Sequence, residues 1–281
     1  MSAENRVILW FDGRLRDHAE PVVLATDHGL TVGDGVFEAC ELLDGRPFAL
    51  SRHLDRLERS AAGLGLPIPD REVVRRAVHE VADAWGTELA RIRILWTGGP
   101  GPLGSEAAWG PGTLLVAASA VGAPHAVSVA VVPFVRNERS AIAGLKTTSY
   151  AENVRALAWA HEHGGDEAIF ANTRGELCEG TGTNIFIEDG GALLTPPLDS
   201  GCLAGVTRAV VLEWAREEGI EAREETIPLK AIHEAEHVAL SSSTRGVVPV
   251  VAVDGRALEP GPLTQQVAEI YTRRHVLTPD P

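Results

Sequence analysis

Apolar and polar positions alternate in period along the chain, and the period changes mark the elements. Residues 7–11 form an apolar run that ends at Asp12-Gly13, which predicts a strand entering a tight turn. Residues 36–43 predict a second strand, closed by Asp44-Gly45. Over 51–64, Leu54, Leu57, Ala61 and Leu64 recur at spacings of three and four, so they share one helical face. Residues 72–85 repeat that pattern and predict a second helix. Residues 91–97 and 113–119 read as two strands separated by the loop Gly98-Gly99-Pro100-Gly101-Pro102-Leu103-Gly104. Gly122-Ala123-Pro124 then interrupts two apolar runs, which places a domain over 1–120, a connection over 121–126 and a second domain over 127–281. The second half predicts strands near 127–132, 167–172, 183–187, 221–227, 237–241 and 249–253. Its predicted helices lie near 150–163, 205–219 and 263–274. The sum is an α+β chain of two α/β domains, without internal repeats.

Composition narrows the partners. At 281 residues the chain exceeds a typical single core, and 44% hydrophobic with 23% charged residues is ordinary for a folded protein. The formal charge of −14 opposes binding to a nucleic-acid backbone or an anionic membrane, although a local arginine cluster can still hold a small anion. Cys40, Cys178 and Cys202 have no CxxC spacing and fit neither a disulfide framework nor a zinc ribbon, so no metal is expected. A reducing cytoplasm suits them. The first residues lack the basic and apolar regions of a signal peptide, and no stretch reaches the roughly 20 apolar residues of a membrane helix. A soluble cytoplasmic protein, with no nucleic-acid and no membrane partner, is the expectation.

Three segments could carry chemistry. Lys146 stands among small and apolar residues just before a predicted helix, and only Lys146 and Lys230 are lysines among 25 Lys plus Arg. Where arginine supplies the other positive charges, a retained lysine points to what arginine cannot do: an amine withdrawn from water can attack a carbonyl and form a Schiff base. A surface lysine is the plain alternative. Glu179 precedes Gly180-Thr181-Gly182-Thr183 and a strand, where a carboxylate could support a protonated heterocyclic nitrogen, or could simply be a turn acid. Val206 and Thr207 open a predicted helix, and Ser242-Ser243-Thr244 ends a strand. Free N–H groups and hydroxyls there can cradle a phosphate, with Arg56 of the first helix as the cation. Helix capping and an ordinary polar loop are the alternatives.

Six segments in order resemble the class IV pyridoxal-phosphate aminotransferases, the group of branched-chain aminotransferases, D-amino-acid aminotransferases and aminodeoxychorismate lyases. They are residues 27–38 (DHGLTVGDGVFE), 53–57 (HLDRL), Leu145-Lys146, 179–186 (EGTGTNIF), 203–208 (LAGVTR), and Ser242-Ser243-Thr244 with 247–250 (VVPV). The resemblance implies fold type IV, with pyridoxal 5′-phosphate held in a cleft between two domains and a homodimer whose neighbouring subunit adds to the substrate pocket. It implies that Lys146, in the larger second domain, is the Schiff-base lysine and moves the proton between Cα and C4′. Glu179 is implied to pair with the pyridinium nitrogen, and Arg56, Val206, Thr207 and Ser243 to hold the phosphate. Arg139, seven residues before Lys146, matches an arginine near the cofactor's phenolic oxygen in the D-amino-acid enzymes, and Tyr150 competes for that role.

The substrate pocket matches no one subfamily. Leu103 and Ser105 stand where D-amino-acid enzymes carry an Arg-x-His carboxylate trap. Leu103 also replaces an arginine of the lyases, and Ala39 replaces their threonine. Val32 is not the aromatic residue of the branched-chain enzymes, which do share Arg93. Candidate substrate contacts are Phe37, Leu103, Arg91 and Arg93, the two arginines alternating on one strand, and Arg245 on its loop. A solvated strand face is the alternative for the arginines. The reading is a transaminase moving an amino group between a small amino acid or amine and a 2-oxo acid. The second reading is an aminodeoxychorismate lyase that releases pyruvate and 4-aminobenzoate, and the third is a non-enzymatic binding protein of the same fold.

Overall fold

The computed structural model describes residues 6–281, and among them the chain forms two compact units. The first takes the residues up to Gly122 together with Leu145–Ser149 and Thr278–Pro281; the second takes Ala123–Gly144 and Tyr150–Leu277.

The first unit contains β1 (Val7–Phe11), β2 (Arg14–Arg16), α1 (His28–Thr31), β3 (Gly35–Leu43), β4 (Arg46–Pro47), α2 (Leu50–Leu64), α3 (Arg71–Trp85), β5 (Ala90–Thr97) and β6 (Thr113–Ala120). Its antiparallel sheet runs β2-β1-β6-β5-β3-β4. Alternation decides the two faces: Val36, Cys40 and Leu42 of β3, with Ile92 and Ile94 of β5, pack against Leu54, Leu57 and Ala61 of α2 and Val74, Val78 and Val81 of α3. Phe37 and Ala39 therefore point to the other face, paired across the ladder with Leu95 and Arg93. Asp70 caps α3, accepting the N–H groups of Glu72 and Val73. Helix α2 begins differently. Ala49 precedes it at φ 52° with no side-chain cap, and the chain's own end supplies one: Asp280 accepts the Ser51 N–H at 2.9 Å and the Ser51 hydroxyl at 2.6 Å.

Expectation and structure differ on the lysine. Leu145–Ser149 joins the first unit rather than the second. Its backbone extends β3: the Phe37 N–H donates to Lys146 O at 2.9 Å, and the Thr148 N–H to Gly35 O at 2.8 Å. Gly63 of α2 admits the Leu145 side chain, since a Cβ there would lie 2.7 Å from it. These are long-range pairings that local periodicity does not encode.

The second unit contains β7 (Val127–Arg136), α4 (Ala151–Glu162), β8 (Glu167–Asn172), β9 (Leu177–Gly180), β10 (Asn184–Asp189), β11 (Ala192–Thr195), α5 (Val206–Glu217), β12 (Ala222–Glu224), α6 (Ala231–Glu234), β13 (Val238–Ser242), β14 (Gly246–Val253), β15 (Arg256–Ala257) and α7 (Pro262–Leu277). The sheet is mixed, ordered β12-β11-β10-β13-β14-β7-β8-β9, with β15 beside β14. β7 and β8 are parallel, and α4 lies between them in the chain. β7 runs to Arg136, four residues past its expected end, because Pro133 sits where the register with β8 shifts between Val131 and Val135 and so takes no ladder bond. The strand expected over 221–227 is only Ala222–Glu224, and β9 and β11 are strands the pattern did not predict. β9 is buried along its length but carries Glu179 where an apolar residue would have signalled a strand. No helix among the described residues is long and apolar enough to cross a membrane.

Candidate functional site

In the first unit, α2 carries a polar line through its buried face. His53, Arg56 and Ser60 recur at three and four residues and are all buried. Ser60 Oγ accepts the Lys146 N–H at 3.2 Å. Arg56 sets Nε and Nη2 on the two oxygens of Glu38, both at 2.7 Å, and His53 Nδ1 lies 2.7 Å from Glu38 Oε2. Burial works to raise the Glu38 pKa, but the Arg56 charge and the hydrogen bonds of Arg56 and His53 outweigh it and hold the carboxyl well below the usual carboxylate range. Burial pushes the His53 imidazole below its ordinary value, Glu38 resists, and the charges of Arg56 and Lys146 add to the fall. His53 is therefore neutral at pH 7, with Nδ1–H donating to the carboxylate.

On the opposite face of β3, Lys146 Nζ lies 4.4 Å from the centroid of the Phe37 ring, and Arg93 Cζ lies 3.9 Å from the same centroid. The alternation of β5 thus brings Arg93 to the lysine's side of the sheet. Arg91 shares that side two residues along and is exposed. Leu103 is exposed on the loop between β5 and β6, at 78% of its full surface. That loop is tied down at its root: His28 Nε2 lies 2.9 Å from Pro102 O, and Asp27 accepts the Thr113 hydroxyl at 2.7 Å.

In the second unit, Glu179 lies in β9, one residue before its end, with its carboxylate buried. Oε2 accepts the Leu203 N–H at 2.8 Å, and Arg136 Nε lies 3.3 Å from Oε1. Arg136 is the residue that sequence reasoning missed. It sits over the Phe170 ring at 4.3 Å, pairs with Glu152 and donates to Asn153 at 3.1 Å. The candidate Arg139 is exposed instead, and its backbone N–H bonds Asn137 Oδ1. The reason is phase: three residues past the end of β7, its side chain has left the strand. Tyr150 is half-buried at the start of α4. Arg245 is paired with a buried carboxylate. Its Nη2 bonds Glu167 Oε2 at 2.9 Å, while Glu167 Oε1 accepts the Thr181 hydroxyl and, at 3.1 Å, the Thr181 N–H. The buried Cys178 and Cys202 flank the Glu179–Leu203 bond in sequence. Burial pushes both thiols up, Cys202 to about 11, so neither is a nucleophile.

The fit to a phosphate is read at α5. Gly205 caps it without a side-chain bond, so the N–H groups of the first turn, including those of Val206 and Thr207, have no partner within the helix. A Cβ on Gly205 would overlap Asn184 Oδ1, so glycine is required for that close approach. Nearby in this unit the buried hydroxyls of Thr207, Ser241 and Ser242 make no hydrogen bond. Ser243 lies in the turn after β13 and is half-buried. Orphaned hydroxyls together with an uncapped helix start are the donor set an oxyanion requires.

Residues 35–253 match the family described as amino-transferase class IV. A putative branched-chain-amino-acid aminotransferase of Methanocaldococcus jannaschii is 34% identical over 93% of this chain and 92% of its own length. The branched-chain aminotransferase of Thermoproteus uzoniensis, solved with norvaline, superposes with a TM-score of 0.90 at 32% identity over 97% of this chain and 95% of that one. A hypothetical aminotransferase of Mycobacterium tuberculosis in a PLP-bound form superposes at 0.85 with 28% identity, covering 95% and 98%. With a mixed α/β fold of type IV and a match across most of its length, the chain belongs to the class IV aminotransferases, enzymes that work with pyridoxal 5′-phosphate.

Proposed function

We propose that Lys146 is the amine that binds the cofactor and that the substrate lies on the face of β3 bearing Phe37 and Arg93. The observation that carries this is the shared ring: Lys146 Nζ and the Arg93 guanidinium both rest on Phe37, so a reactive amine and a carboxylate-binding fork stand on one side of one sheet. When bound, the cofactor supplies an electron sink for the charge left at Cα. The rest is done by this chain. Lys146 Nζ takes the proton from Cα and returns it to C4′. Glu179, beside Arg136, would hold a proton on the ring nitrogen. Arg56, the first-turn N–H groups at Val206 and Thr207, and the hydroxyls of Thr207 and Ser243 hold the phosphate. Arg93 grips the carboxylate of a small amino acid or 2-oxo acid, with Arg91 beside it. Arg139 and Arg245 leave the proposal, the first exposed and the second engaged by Glu167. Tyr150 remains the candidate for the phenolic oxygen.

We further propose a homodimer and a cytoplasmic setting. The first unit exposes Leu24, Leu30 and Val32 in and around α1, and Leu103 and Trp109 on the loop between β5 and β6, surface that suits a second copy. Three buried free thiols suit a reducing compartment. Borohydride reduction of the holoenzyme followed by peptide mass spectrometry tests the central assignment: the fixed cofactor is expected on Lys146, and an adduct on Lys230 would overturn it.

A further inference from the structure

Burying Glu38 carries a desolvation cost that its pairing must offset. The residue faces the helices from β3 between Val36 and Cys40, both fully buried, and is itself fully buried. A carboxylate there loses its hydration, and a buried ion pair is seldom more stable than apolar residues of the same volume. Its surroundings hold it in one orientation. Oε1 takes Arg56 Nε, Oε2 takes Arg56 Nη2, and Oε2 also takes His53 Nδ1, each at 2.7 Å. Two parallel bonds fix the plane of the guanidinium, and His53, one turn before Arg56 on α2, fixes the carboxylate. Arg56 itself is only 4% exposed, so its guanidinium is held within this buried group.

We propose that Glu38 is a positioning residue for the phosphate: acting through Arg56, it orients the guanidinium that the cofactor's phosphate engages. This rests on the assignment of Arg56 made above. Glu38→Gln is the informative change, because the amide replaces one acceptor with a donor that opposes an arginine N–H. The fork cannot re-form, while volume is kept. Loss of one charge-assisted contact of about 1.5 to 3 kcal/mol corresponds to roughly ten- to 150-fold in affinity.

The test measures the affinity of the apoprotein for pyridoxal 5′-phosphate and for pyridoxal, which lacks the phosphate, and takes their ratio. In Glu38→Gln the preference for the phosphorylated form is expected to fall about tenfold or more, with pyridoxal affinity changed less than about threefold. Arg56→Met should lower the same ratio, and adding Glu38→Gln to it should lower it no further. An unchanged or raised ratio in Glu38→Gln, an equal fall for both ligands, or additive losses in the double variant would each overturn the positioning role. An unchanged ratio in Arg56→Met would instead remove Arg56 from the phosphate, and the inference with it. If Glu38→Gln does not fold, Glu38→Asp decides: it keeps the charge, shortens the arm, and should also lower the ratio.

Discussion

The two carboxylates Glu38 and Glu179 are both buried beside an arginine, and Arg56 braces the first with a fork. Glu179 has Arg136 Nε at 3.3 Å from Oε1 and accepts the Leu203 N–H at Oε2, and its proposed role is to accept from a ring nitrogen. Glu179→Gln should therefore cost turnover more than affinity. A loss of kcat of about a hundredfold is expected from removing a proton-holding group, with cofactor Kd nearly unchanged, and equal turnover would show that another group protonates the ring. Glu38 and His53 instead set an acid limit. Both have folded pKa values below their unfolded ones, so each contributes stability that is present above its unfolded pKa and is lost as pH falls. For His53 the loss begins near 6.5 and for Glu38 near 4.5. The Tm should drop between pH 7 and pH 5, and His53→Asn should flatten that first drop; a wild-type Tm constant over the interval would contradict the burial of a neutral imidazole.

At the scale of elements, α2 matters most because it carries His53, Arg56 and Ser60. Its apolar period was legible, and so was its extent to within one residue. Its cap was not, since Asp280 lies 229 positions from Ser51 in the chain. Asp280→Ala should cost about 1 kcal/mol, the usual value of a lost helix cap, read from chemical denaturation. A larger effect on cofactor retention than on unfolding would show that the tail also steadies Arg56. The strands divided in the same way. β3, β5 and β6 declare themselves by apolar runs, whereas β9 is too short and too polar, and its burial comes from pairing with β8 through a bulge.

For the whole molecule, the open choice is between amino-group transfer and elimination. Ala39 is paired across the ladder with Arg93, on the face that bears Lys146 and Phe37, and it offers no proton to a departing enolpyruvyl unit. Leu103 offers no cation for a second carboxylate and points into solvent. Amino-group transfer from at least one amino acid to 2-oxoglutarate or pyruvate is expected, with pyruvate release from aminodeoxychorismate slow. Fast 4-aminobenzoate formation without any transamination across a panel of L- and D-amino acids would reverse the choice. Ala39→Thr should raise elimination relative to transfer. Sedimentation of the holoenzyme should show two chains, and a monomer at working concentration would leave the exposed loops of the first unit to another explanation.

Local chemistry was enough to single out Lys146, Glu179, Arg56 and the Val206-Thr207 turn as candidates, because each is a residue type whose function depends on its own atoms and sits at a recognisable break in period; the roles proposed for them came from the resemblance of six segments to the family. It was also enough for the α+β class, since apolar spacing is a property of adjacent residues. What required the tertiary structure was every property that depends on a distant partner. Long-range pairing with β3 put Lys146 in the first unit, and strand phase put Arg136 beside Glu179 and left Arg139 exposed. Arg245 was found paired with Glu167, and β5 register brought Arg93 onto Phe37. A charged side chain reads the same in sequence whether it grips a substrate or a buried carboxylate; only its burial and the group within hydrogen-bond reach distinguish the two.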